Sequence, residues 1–254
     1  MTSDELLKTV LRIGHYMLEF GGEIYRVEES ITRMCKAYGA KSVDVFAIPS
    51  SLVVTISMAD DKPVTMTKRV RAFQTDDDLT KVDRLSNLSR YICDNTPDSQ
   101  TVSEMVEEIL KIRHYNAFVM TLCFSIVPAA FCLFFGGNLK DAAVAFFIGG
   151  GMKYLLDLLR YLKTNIIFTN IIASLFSSVT AIFAVNIGLG ENYDKIIIGS
   201  IMLLVPGLIL TNSMRDFIMG DFMAGILRLI AAILIATGIA IGVALALTAF
   251  GFSG

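Results

Sequence analysis

Charge nearly vanishes from the second half of this sequence. Of 22 Lys+Arg and 24 Asp+Glu, residues 117–254 hold 7 and 6, and Leu229 to Phe252 carry none. Histidine is just as scarce. With Ser50 and Ser51, His15 and His114 are the only raw material for a serine nucleophile and its base. No GxSxG elbow is present and the spacing shows no triad. Ser50-Ser51 after Pro49 reads as a turn pair and His15 lies in an amphipathic segment, so the chain is expected to be no enzyme. The four cysteines, Cys35, Cys93, Cys123 and Cys132, form no CxxC pair and have no histidine beside them. They are read as small buried residues, and neither metal nor cofactor is expected. Gly149-Gly150-Gly151 lacks the lysine-serine ending of a phosphate loop. A net charge of −2 without a basic cluster argues against nucleic acid. The opening MTSDELLKTVLRIGHYMLEF has acidic residues where a signal peptide needs a basic start and an apolar core.

What fills the gap is hydrophobic residue, 54% of the chain, with a positive mean hydropathy. That is too apolar for a soluble domain of this length. A bilayer core takes roughly 20 apolar residues of helix. Five stretches qualify, at about 117–136, 142–160, 166–188, 196–214 and 222–252. The expected architecture is an α-helical polytopic membrane protein with a cytoplasmic α+β domain over 1–116 and a transmembrane domain over 117–254. Arg160, Lys163 and Lys153 near one pair of span ends, and Arg215 and Arg228 near another, set the cytoplasmic side. The N-terminus falls on that side of the plasma or inner membrane, and five spans put the C-terminus outside.

The first 116 residues carry two helical faces: Leu6, Leu7, Val10, Leu11, Gly14, Met17 and Leu18, then Ile24, Val27, Ile31, Met34 and Tyr38 up to a Gly39 C-cap. Three β-type runs follow (VDVFAI, SLVVTISM, VTMTKRV), with Pro49 and DDKP as turns. A helix from about Leu79 to Cys93 comes next. VSEMVEEILKIRHYN is expected to run straight into the first span. Glu23 with Arg26, and Glu29 with Arg33, read as helix-surface ion pairs.

One stretch breaks the pattern of its surroundings. VPGLILTNSMRDFIMGD, residues 205–221, places Pro206 and Gly207 inside an apolar run, then Asn212, Arg215, Asp216 and Asp221. Pro206 has no N–H for the carbonyl of Met202, so the helix should open there near mid-depth. Open backbone at that depth is tolerated only inside protein or along a wet cavity. Pro206, Gly207, Asn212 and Arg215, with Arg228 and Lys153, are therefore candidate substrate contacts. Asp216, Asp221 and Asp157 are candidate proton carriers. Each also has a structural reading. Pro206 can be a packed kink, Arg215 and Asp216 headgroup anchors, Asp221 the N-cap of the last span, and Lys153–Asp157 a snorkelling pair. Gly238 and Gly242 fit helix packing.

GGEIYRVEESITRMCKAYGAKSVDVFAIPSSLVVTI resembles the soluble N-terminal region of the threonine/serine exporter family, and LLVPGLILTNSMRDFIMGDFMAGILRL resembles the signature around that family's Pro-Gly span. The resemblance implies export of small hydroxylated amino acids such as threonine and serine, driven by a proton or ion gradient. A dicarboxylate such as succinate is the alternative within transport, and a membrane-anchored hydrolase or regulatory subunit the alternative outside it. Full-length exporters resemble a longer half, like this chain, fused to a compact second set of spans. The sequence stops at Gly254, which implies a separate small polytopic partner; a homo-oligomer is the other architecture. An odd number of spans would insert a fused second half upside down, as in the inverted repeats of secondary transporters.

Overall fold

The computed structural model describes residues 1–59, 62–70, 78–112 and 115–250. Asp60 and Asp61 of the expected turn, His114 and the last residues of the final apolar run lie outside them. The chain forms two units: residues 1–113 with 209–229, and 114–208 with 230–254.

In the first unit α1 (Ser3–Glu19) starts at a capping box, Thr2 and Glu5 each accepting the other's backbone N–H. Its buried face holds the leucines and Val10 expected from their spacing. Gly14 lets α2 (Ile24–Ala37) approach, since a Cβ there would sit 2.6 Å from Ile31 Cδ1. Gly39, at φ +89°, ends α2 in a left-handed turn that suits glycine. Strands β1 (Ser42–Ile48), β2 (Ser51–Ser57) and β3 (Val64–Arg69) form an antiparallel meander in that order. Ile48 pairs with Ser51, so Pro49-Ser50 is a two-residue hairpin loop. Leu52, Val54 and Ile56 alternate inward into the core. On the β1 edge, Ala47 N–H donates to Glu28 at 2.7 Å, which occupies a group that another strand could pair with. Helices α3 (Leu79–Asn95) and α4 (Ser99–Leu110) start at the aspartate caps Asp78 and Asp98. The expected continuity into the membrane half is corrected here. Helix α4 ends at Leu110, and the next helix starts afresh at Ala117 under an Asn116 cap.

The second unit holds α5 (Ala117–Phe134), α6 (Leu139–Tyr161), α7 (Ile166–Asn186) and α8 (Tyr193–Ile201). Helix α9 (Gly207–Met219) begins in it, and α10 (Phe222–Ala249) ends in it. Among the described residues four helices, α5, α6, α7 and α10, are long and apolar enough to cross a membrane. The fifth span expected at 196–214 is therefore corrected to two short helices, α8 and α9, parted at the opening expected at Pro206. The cause is Pro206, which follows a tightened turn in which Leu204 N–H reaches Ile201 O at 2.8 Å. Glycines set the packing of the long helices. A Cβ on Gly149 of α6 would fall 2.0 Å from Phe124 O of α5, and one on Gly199 of α8 would fall 2.8 Å from Pro128 O. On α10, a Gly242 Cβ would meet Ser174 Oγ at 2.0 Å. The Gly242 contact matches the packing role expected of it. At one end of the unit, buried Asp141 of α6 accepts Glu191 N–H at 2.7 Å, Asn192 N–H at 3.0 Å and Asn192 Nδ2 at 2.8 Å. One carboxylate thus ties the α7–α8 connection to the start of α6.

Candidate functional site

The expected site residues fall into two groups, one in each unit. The first group surrounds the turn between α1 and α2. Helix α9 and the first turns of α10 form a short hairpin joined by Gly220 at φ +91°. Ser213 Oγ donates across it to Gly225 O at 2.7 Å. Asp216 on α9 and Arg228 on α10 face each other at 3.0 Å, and both side chains are at least nine-tenths buried. The approach is ionic rather than an aligned hydrogen bond. Arg228 also donates to Gly22 O at 2.8 Å, and Asn212 donates to Gly21 O at 3.4 Å. Arg215 pairs with Glu23, the N-cap residue of α2. The reading of Glu23 as half of a surface pair with Arg26 is only part of its role. Its side chain is largely buried, with Arg26 Nε at 3.6 Å and Arg215 on its other oxygen.

The carbonyls of Gly21 and Gly22 are the acceptors that sequence reasoning missed, together with Glu23. The signal was present as a doubled glycine between two helices, but it carries no information about a partner some 190 positions away. Asp221 directly precedes α10, and its carbonyl accepts Gly225 N–H at 2.9 Å. That placement agrees with the N-cap reading.

The second group lies in the membrane-type helices. Pro206 and Gly207 occupy the break between α8 and α9, where Gly207 N–H closes a tight turn onto Val205 O at 2.8 Å. A Cβ on Gly207 would meet nothing within 4 Å. Lys153 and Asp157 of α6 pair with each other, and the lysine lies 5.8 Å from the centre of the Phe124 ring. Three buried hydroxyls escaped notice in the sequence: Ser177 and Ser178 on α7 and Ser200 on α8, whose Oγ atoms have no hydrogen-bond partner among the described residues. Serine in an apolar helix normally spends its hydroxyl on a carbonyl one turn back, as Ser174 does with Asn170 O at 2.7 Å.

Little in either group suggests bond-making chemistry. His15 lies 3.2 Å from Glu19, and burial lowers its pKa, with Lys68 adding to the shift and Glu19 opposing it. Ser50 lies in the hairpin loop and Ser51 starts β2. Burial pushes the Cys35 thiol up to about 12, which leaves it a packing residue. Among the described residues no cluster of His, Cys, Asp and Glu could hold a metal ion.

Residues 8–250 match the family described as "Putative threonine/serine exporter". The chain belongs to that family. It is a membrane protein of a transporter family, and the family match spans both units. It is 27% identical over 248 residues to a protein of Klebsiella aerogenes named "Probable succinate transporter subunit YjjP", covering 94% of this chain and 92% of that one. The protein of the same name in Escherichia coli K12 is 26% identical, covering 96% and 94%. A "Probable threonine/serine exporter" of Mycobacterium tuberculosis H37Rv is 23% identical and also covers 96% of this chain, but only 46% of its own length is matched. No solved structure matches this chain.

Proposed function

We propose that this chain is the longer subunit of a two-component secondary exporter for small hydroxylated amino acids such as threonine and serine. The observation that carries the reading is the interruption at Val205-Pro206 between α8 and α9, in a chain of an exporter family. Discontinuous helices are where secondary transporters expose backbone groups to a solute. Ser177, Ser178 and Ser200 add hydroxyls that a polar solute could use, and Pro206 and Gly207 supply the open backbone. Lys153, Asn212, Arg215 and Arg228 remain the candidate partners for a carboxylate, although Arg215 and Arg228 hold acidic partners in this state. With α8 and α9 counted together as one broken crossing, five crossings put the N-terminus in the cytoplasm and the C-terminus outside.

Proton coupling is assigned to Asp216, with Asp221 and Asp157 as the other candidates. A proton on Asp216 would compete with Arg228 for the carboxylate, so its charge state would decide whether the α9–α10 hairpin stays clasped. A separate small polytopic partner completes the transporter. The Mycobacterium exporter, matched over less than half its length, has room for such a second part, and the Klebsiella and Escherichia relatives are named as subunits.

A second reading, a dicarboxylate exporter subunit, is favoured by one observation. The two relatives matched along nearly their whole length bear the succinate name. Proteoliposomes holding this chain with the proposed small polytopic partner separate the two. Gradient-driven counterflow of serine or threonine supports the first reading, and counterflow of succinate alone replaces it with the second. Robust export by this chain without a partner would overturn the two-component architecture.

A further inference from the structure

The first unit carries a polar groove of ≈ 520 Å³ between α2 and α3. Its lining includes Ser30 of α2 and Ser86 and Ser89 of α3, all more than nine-tenths buried. Small residues on facing helices would serve close packing alone, and Ser89 fits that role, since it donates back to Ser86 O at 2.7 Å. Ser30 and Ser86 do not: neither hydroxyl has a hydrogen-bond partner among the described residues. A serine in a helix ordinarily gives its hydroxyl to a carbonyl of the preceding turn; these two instead line the groove, where a ligand's polar atoms can reach them.

The charges around these hydroxyls are balanced. Arg26, Arg33 and Arg90 face Glu29, Asp83 and Asp94. Arg33 is engaged with Glu29. Arg90 has only the Asn87 amide at 3.4 Å, and Asp94, one helical turn further along α3, has no ion pair among the described residues. The groove therefore offers an available guanidinium, an available carboxylate and two hydroxyls. A multiply charged anion would leave the available carboxylate unmet, and an apolar ligand would leave the charges and hydroxyls unmet.

We propose that this groove binds a free α-amino acid as its zwitterion. Arg90 takes the carboxylate, Asp94 takes the ammonium group, and Ser30 and Ser86 meet a small polar side chain. Such a site would report the concentration of free amino acid to α2, whose N-cap Glu23 is held by Arg215 of α9. The sensing role rests on the export reading above; the binding does not.

Hydrogen exchange on the full chain in nanodiscs tests it, with L-serine, succinate and ethanolamine as probes. L-serine should slow exchange in 24–37 and 79–95, while succinate and ethanolamine leave both segments unchanged. Arg90→Ala, which touches only the surface, should raise the protecting concentration of serine roughly tenfold or more, and Ser86→Val should do the same by filling the groove. Absence of protection by serine, equal protection by succinate, or full protection in Arg90→Ala would overturn the site. Flux of serine in proteoliposomes is read separately. Protection without flux keeps the groove and removes the export reading; flux without protection removes the groove alone.

Discussion

Pro128 and Pro206 sit in the same unit and meet opposite fates. Pro128 lies inside α5, which continues unbroken to Phe134. Pro206 separates α8 from α9. Both deny an N–H to the carbonyl four residues back. At Pro128 that carbonyl belongs to Phe124, and Gly149 of α6 presses against the same oxygen, so packing covers the vacancy. Beside Pro206, Gly207 has no neighbour that a Cβ would touch. In this chain the helix continues at the proline whose freed carbonyl is covered by a neighbouring helix and stops at the one beside an open Gly207. The comparison separates a structural proline from one available for function, which residue type alone cannot do.

The largest expected effect comes from the covered side. Gly149→Leu would drive a side chain into the Phe124 carbonyl, and backbone cannot move aside as a side-chain tip can. Overpacking of flexible cores costs about 1–3 kcal/mol, so this variant should exceed that and yield no monodisperse protein on size exclusion. Gly207→Ala should stay folded, within about 1 kcal/mol of the parent and on the stabilising side. Equal tolerance of both substitutions would end the comparison.

Next in size is the buried pair in the other unit. Asp216→Asn removes the carboxylate that faces the buried Arg228 guanidinium, at a cost of about 3 kcal/mol, the low end of the range for half-broken buried pairs. Thermal melts should show the loss, and Asp216→Asn with Arg228→Met should recover part of it. A double variant no better than the single would mean that the two residues are not coupled. Pro206→Ala should change stability by no more than about 1 kcal/mol yet abolish export per folded molecule. Normal export by this variant would remove the break from the transport site.

The smallest effect is a pH slope. Burial holds His15 below its usual pKa in the folded protein, with Lys68 in the same sense and Glu19 opposed. The folded state therefore binds this proton less readily than the unfolded one. Stability should fall as pH drops from about 6.5, the ordinary histidine value, through the lowered folded value. His15→Gln should flatten the slope of melting temperature against pH over that window; an unchanged slope would assign it to other groups.

Much of the fold was legible because its signals are local. The α1 and α2 faces, the hairpin around Pro49-Ser50 and the end of α2 at Gly39 follow from periodicity and turn chemistry over a few residues. The break at Pro206 was legible for the same reason. The unbroken helix through Pro128 depends on Gly149 of another helix, and the ion pairs of Arg215 and Arg228 depend on a turn formed near residue 22. The partners that Asn212, Arg215 and Arg228 hold were not legible, because they lie about 190 or more positions away in sequence. Ser177, Ser178 and Ser200 were hidden in apolar runs, where a serine by itself is unremarked.

The first unit is also discontinuous, and that puts a clock on its assembly. Ala224 belongs to its apolar core, and Gly21 and Gly22 wait for Asn212 and Arg228. Synthesis reaches those residues only after α5, α6, α7 and α8 have been made. The N-terminal region must therefore leave the ribosome with an unfilled apolar seat and hold it open while the intervening helices enter the bilayer. Completion of the first unit then becomes a late check that those helices have been placed.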